Sequence, residues 1–217
     1  MKYANSRNNN LRLRIIVYVI GLFLYSLGIG ISAKSDLGIA PVSTLPYALS
    51  FVLPLSFGMT TFIMTIIYIL IQILIYGKNF EKKQYYQIVI GVLFSFFIDM
   101  AMLLLKDLNP QTYVNRLITL LIGLFVLAIG IVLSVISNVI TPPAEGAIEA
   151  IAKKYNKEFS NVKIIFDGTI VVLAIIVSQT FLGRLEGFKE GTIISVFVTG
   201  LFTKIIFKLI GKRWQFQ

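Results

Sequence analysis

"RIIVYVIGLFLYSLGIGISAK" at residues 14–34 and "RLITLLIGLFVLAIGIVLSV" at residues 116–135 follow one pattern. A shift of 102 positions lays Arg14 on Arg116, Gly21-Leu22-Phe23 on Gly123-Leu124-Phe125, Gly28 on Gly130 and Ser32 on Ser134. It continues beyond the helix to match Pro41 with Pro143 and Phe57 with Phe159, and a shift of 100 matches Gly91, Ser95 and Phe97 with Gly191, Ser195 and Phe197. Any two apolar helices share Leu, Ile and Gly by chance. Register held through a helix, a proline and the next helix is the mark of an internal repeat. The 217 residues therefore read as one domain of two related halves, repeat A over about 12–106 and repeat B over about 114–211.

Each half carries three apolar runs, near 15–33, 57–76 and 84–105 in the first and 117–140, 162–182 and 191–210 in the second. About 20 residues of helix cross the roughly 30 Å hydrocarbon layer of a bilayer. The hydrophobic content of 57% and mean hydropathy of +0.84 stand well above the soluble norm of roughly 45–50% apolar. The predicted fold class is all-α integral membrane, with six transmembrane helices as two three-helix repeats and a short helix after the first span of each. Three is odd, so the halves insert in opposite directions, as in secondary transporters whose sites lie at the repeat interface. The basic stretch "NLRLR" before the first run resembles the start of a signal peptide, but the run is too long and lacks a small-x-small cleavage site, so it is expected to stay attached.

The formal charge is +10, with neither cysteine nor histidine. Disulfides, thiol nucleophiles and imidazole-held zinc are thereby excluded, and no metal or cofactor is expected. The placement of charge argues against nucleic acid. Lys34, Lys106, Arg116, Arg184 and Lys189 fall at one set of span ends, and the other fifteen of the 20 Lys and Arg fall at the opposite set or the termini. This positive-inside asymmetry predicts cytoplasmic N- and C-termini and attraction to anionic lipid. Tyr76, Tyr85, Tyr86 and Trp214 read as interfacial anchors.

After each first span a proline opens a short segment. "PVSTLPYALSFVLP", from Pro41 to Pro54, is apolar almost throughout and suits a re-entrant or buried helix, with Ser43 and Thr44 as its polar groups beside Pro41. Its counterpart from Pro143 is amphipathic: Ala144, Ala147, Ile148, Ile151, Ala152 and Tyr155 make one stripe, Glu145, Glu149 and Lys153 another. That predicts a helix at the cytoplasmic interface. Two accounts of its acids compete. In one they complement the helix N-terminus, and Glu149 pairs with Lys153 at i,i+4. In the other, Glu145 and Glu149 guard a cavity mouth and bind a proton, a cation or a basic substrate group. Asp99 and Asp167 lie inside spans, where a carboxylate costs about 2.5–3.5 kcal/mol and normally faces a bundle interior. Asp167 has Lys163 one turn away; Asp99 has no charge nearer than Lys106, so it ranks higher as a site candidate. Gly28 with Ser32 and Gly130 with Ser134 form small-xxx-small faces suited to close helix contact.

"LGIGISAKSDLGIAP" at 27–41, the second proline with its short helix, and "EGTIISVFVTG" at 190–200 together resemble the YczE/YyaS/YitT group of bacterial integral membrane proteins. The resemblance covers most of residues 12–210. It carries over Gly28 and Gly30, the Leu37-Gly38 turn with Pro41, Gly191-Thr192 with Gly200, and an acidic residue after the second proline, here Glu145. It implies a multi-pass protein of the bacterial plasma membrane. The expected function is a small-molecule or ion permease working by alternating access, with an accessory subunit that docks a protein partner, or a homodimer, as the alternative. An enzyme is not expected: "FDGT" at Asp167 lacks the paired carboxylates of acid catalysis, and no glycine loop with lysine cradles a nucleotide.

Overall fold

The computed structural model describes residues 11–210, and all of its regular elements are helical. Eight helices run in the order α1 (Leu11–Lys34), α2 (Pro41–Val52), α3 (Phe57–Tyr76), α4 (Tyr86–Leu104), α5 (Tyr113–Ser137), α6 (Pro143–Tyr155), α7 (Phe159–Leu182) and α8 (Glu190–Ile210). Six of them are long and apolar enough to cross a membrane, and α2 and α6 are about half that length. Large apolar side chains such as Leu74, Leu103, Ile164 and Phe197 remain exposed on the outside of the bundle, as a lipid-facing surface requires. Lys2, Arg7, Lys212, Arg213 and Trp214 lie outside the described residues.

Local chemistry fixes the ends. Ser56 caps α3 by accepting the Met59 N–H at 3.1 Å, and Thr112 caps α5 by accepting that of Asn115 at 3.2 Å. Pro41 and Pro143 stand at the first positions of α2 and α6, where the missing donor costs nothing. The fourth span covers 113–137 rather than 117–140, because Thr112 starts it early and Asn138 ends it in a left-handed conformation (φ 48°). Asp36 does the same after α1 (φ 56°).

α1 and α5 pack along their length and form the spine. A Cβ on Gly28 would strike the Leu127 backbone, and one on Gly130 the Tyr25 backbone. One on Gly21 would lie 2.8 Å from Ser134 Oγ, and one on Gly123 2.5 Å from Ser32 Oγ. Early residues of one helix meet late residues of the other, so the pair is antiparallel. Ser32 and Ser134 donate back to the carbonyls of Gly28 and Gly130, at 2.8 and 2.9 Å, which removes their polar groups from the interface.

The remaining helices surround the spine. α4 packs on α1 and α8 on α5; α3 and α4 form a hairpin; α2 lies against α7 and α3, and α6 against α3 and α7. The expectation that α6 lies on an interface is corrected here. Ala147, Ile148 and Ala150 are fully buried, and Gly146 sits so close to Gln72 that a side chain there would collide with its amide. The small residues that made one face look weakly apolar are what let α6 enter the bundle.

Candidate functional site

α6 begins inside the bundle because its first turn is clamped. Gln72 of α3 donates to the Pro143 carbonyl at 3.1 Å and exchanges hydrogen bonds with Gln87 of α4 at 2.9 and 3.2 Å. Gln87 also donates to Gln84 at 2.7 Å. Both Gln72 and Gln87 are buried, so each amide relies on the other, with the Pro143 and Tyr68 carbonyls as further partners of Gln72 and Gln84 of Gln87. This clamp fixes the direction of the next turn, which carries Glu145.

Glu145 lines three cavities. The first, about 70 Å³, is walled by Tyr18, Tyr25, Tyr68 and Phe94 with Ser43 and Pro143. The second, about 330 Å³, lies between α7 and α8 and takes in Pro41, Lys163, Asp167, Ser195 and Thr199. The third, about 610 Å³, opens among Lys83, Ser134, Asn138, Thr141 and Glu149, at the end of the bundle where α1 starts. Among the described residues Glu145 forms no ion pair, whereas Glu149 binds Lys153 at 2.7 Å and Asp167 binds Lys163 at 3.1 Å. Burial pushes the Glu145 carboxyl above its ordinary range, and the charge of Lys163 opposes this less strongly. Three buried polar atoms on the same cavities lack partners: the Tyr68 hydroxyl, Asp167 Oδ1 and the Thr199 hydroxyl.

The predicted site residues divide accordingly. Glu145, Ser43 and Pro143 come together, as do Glu145, Asp167 and Pro41, while Glu149 stands at the outer part of the largest cavity, half-exposed with its lysine. Thr44 is buried, with its hydroxyl on the Pro41 carbonyl at 2.7 Å, and only stiffens the start of α2. Gly28, Ser32 and Gly130 belong to the spine, and Ser134 to both spine and cavity.

Asp99 does different work from that expected. Its Oδ1 accepts the Gly58 N–H at 2.7 Å and its Oδ2 the Ser56 hydroxyl at 2.6 Å, so it caps α3 from the neighbouring helix. It lines none of the three cavities. A carboxylate at an exposed helix N-terminus is stabilised by the unpaired N–H groups and the dipole. Asp99→Ala is expected to cost about 1–2 kcal/mol by loss of this cap, read as a lower melting temperature in detergent.

Sequence reasoning passed over Gln72, Gln87, Tyr68 and Asp36. The first two had a usable signal, since an amide inside an apolar span must find a partner. Asp36 joins three elements at the far end, binding Arg116 at 3.0 Å and Lys189 at 2.5 Å. Beside it the Gly191 N–H donates to Leu37 at 2.7 Å and that of Ile39 to Gly187 at 3.1 Å, which seals the bundle there.

Six apolar helices of spanning length, with two half-length helices between them in the chain, are those of a multi-pass helical membrane protein. The chain belongs to the family of unknown function DUF6198, whose sequence model matches residues 12–208. No curated protein and no solved structure matches it.

Proposed function

We propose that the protein is a small-molecule or ion permease of the bacterial plasma membrane, akin to the YczE/YyaS/YitT group, in which two inverted repeats give alternating access to a site at Glu145. The observation that carries this reading is the unpaired Glu145 carboxylate at the meeting point of three cavities, on the first turn of a half-length helix. In such transporters the N-termini of broken helices face anionic groups, and here the first turn of α6 carries the anionic group itself, Glu145.

Support for inversion comes from contacts that exchange under the shift of 102. Gly28 against Leu127 becomes Gly130 against Tyr25, and Gly21 against Ser134 becomes Gly123 against Ser32. The serine hydroxyls of Ser35 and Ser137 each bond a carbonyl three residues back at 2.6 Å, just before the left-handed Asp36 and Asn138. Arg14 reaches the carbonyls of Ser137 and Asn138 past the end of α5, and Arg116 reaches Asp36 past the end of α1. Among these pairs the polar closure is complete at the Asp36 end, while the largest cavity opens at the other. We read this as the inward-open state.

Uptake by proteoliposomes containing only this protein tests the reading: accumulation of a solute from a broad panel, lost in Glu145→Gln, is expected, and no uptake of any kind favours an accessory subunit. Orientation is tested separately with single cysteines, for which the chain has no native background. Asn79→Cys and Asn156→Cys should react only from the cytoplasm and Asn109→Cys only from outside. Any other pattern defeats the topology.

A further inference from the structure

The charges facing Glu145 are nearly all spoken for. Tyr18 and Tyr25 approach its cavities from α1, Tyr68 from α3, Lys83 from the turn before α4, Lys163 and Asp167 from α7, and Glu149 from its own helix. Lys83 binds Glu81 at 2.7 Å, Lys163 binds Asp167, and Glu149 binds Lys153. Glu145 alone of the carboxylates facing these cavities has no cation on it among the described residues. Half-buried and without a cation, a carboxylate so placed can take a proton or a cation.

The surroundings choose the kind of cation. The smallest cavity at Glu145 is walled by Tyr18, Tyr25, Tyr68 and Phe94, and no cluster of three or more carboxylates that could hold a metal ion occurs among the described residues. Aromatic faces beside one carboxylate suit an organic ammonium, held by cation–π attraction and a single counter-charge. Tyr68 is only 5% exposed and its hydroxyl has no partner; the Asp167 Oδ1 and Thr199 hydroxyl are likewise free to accept. The aromatic cavity is about 70 Å³; Glu145 and Tyr25 also line the 330 Å³ cavity, where Lys163 is held by Asp167, and that volume is at the lower end of the roughly 300–1,000 Å³ range of small-molecule sites.

We propose that Glu145 exchanges one proton for one aromatic or alkyl ammonium ion. This rests on the reading of Glu145 as the permease's binding centre and assigns its substrate class. The balance is simple: the Glu145 carboxylic acid gives its proton to water in the largest cavity, and the resulting carboxylate pairs with the incoming ammonium. The site gains one unit of positive charge and loses one. Proton and cation therefore compete, and the protein works as an antiporter.

Isothermal titration of the full chain in nanodiscs with benzyltrimethylammonium at several pH values, each in two buffers of different ionisation heat, tests this. Release of one proton per cation is expected, with affinity rising up to tenfold per pH unit until the carboxyl is ionised and constant above. Glu145→Gln should lose at least tenfold in affinity and all pH dependence. Glu145→Asp should keep the proton count, which shows that the chemistry and not the fold was lost. Tyr68→Phe should weaken binding without changing that count. A proton count of zero at every pH tried, unaltered binding in Glu145→Gln, or no binding at any pH overturns the proposal. If benzyltrimethylammonium does not bind but uptake of another solute depends on Glu145, the permease reading stands and the ammonium assignment falls. If nothing depends on Glu145, both fall.

Discussion

Gly28→Leu and Gly130→Leu are expected to cost on the order of 3 kcal/mol or more each, at the severe end for overpacking. Total stabilities of about 5–15 kcal/mol make that a large share. The added side chain at either position points at the backbone of the facing helix, not at the end of a flexible chain, so only separation of α1 from α5 can accommodate it. Packing between helices in lipid depends on such approach, because burial from water contributes little there. The two losses should be similar, since the two contacts are related by the repeat. Gly168 provides the control: nothing lies within 4 Å of its position on α7, and Gly168→Leu should be neutral or stabilising by up to about 1 kcal/mol from helix propensity. Melting in one detergent checks all three. A spine variant that melts like the parent would refute the close contact.

Glu145→Gln carries the other large effect. It should abolish uptake while raising stability at neutral and alkaline pH. The sign follows from the raised carboxyl pKa. With the folded-state pKa above the ordinary 4.5, the folded state holds its proton over a range in which the unfolded chain has released it. The group's relative contribution to stability is thus fully present below 4.5 and is lost as pH rises toward and through the higher folded value, at about 1.4 kcal/mol for each unit between the two. Glutamine cannot ionise and removes that slope. Melting curves from acid to pH 8 should show the parent falling relative to Glu145→Gln. Parallel curves would mean that the carboxylate is adequately solvated or paired, contrary to its placement.

The sequence declares much of this arrangement because its strongest constraints are local or periodic. Span length is set by bilayer thickness, the half-helices by Pro41 and Pro143, and the α1–α5 contact by small residues in a repeated register. The lack of a local partner for Glu145 was also legible, since Lys153 is used by Glu149. Asp99 misled for a definite reason: a search for nearby charge along one helix cannot find a cap supplied by Ser56 and Gly58, which lie 43 and 41 residues earlier. The pairing of Gln72 with Gln87 is hidden in the same way, for each looks like an isolated cost until the hairpin brings them together. Periodicity also placed Glu145 and Glu149 on one stripe, yet burial of the first turn against Gln72 gives the two acids different surroundings.

The central claim is that one site is reached alternately from the two ends of the bundle. Ser43 lines the small cavity with Glu145, is only 7% exposed, and Ser43→Cys is nearly isosteric in a chain without native cysteine. Reaction of that thiol with a membrane-impermeant methanethiosulfonate, applied separately to right-side-out and inside-out vesicles, is the most direct test. Alternating access predicts modification from both faces, with entry from the outside slower because the Asp36 end is closed in this state. Modification from the cytoplasmic face alone, under every pH and solute tried, would contradict it.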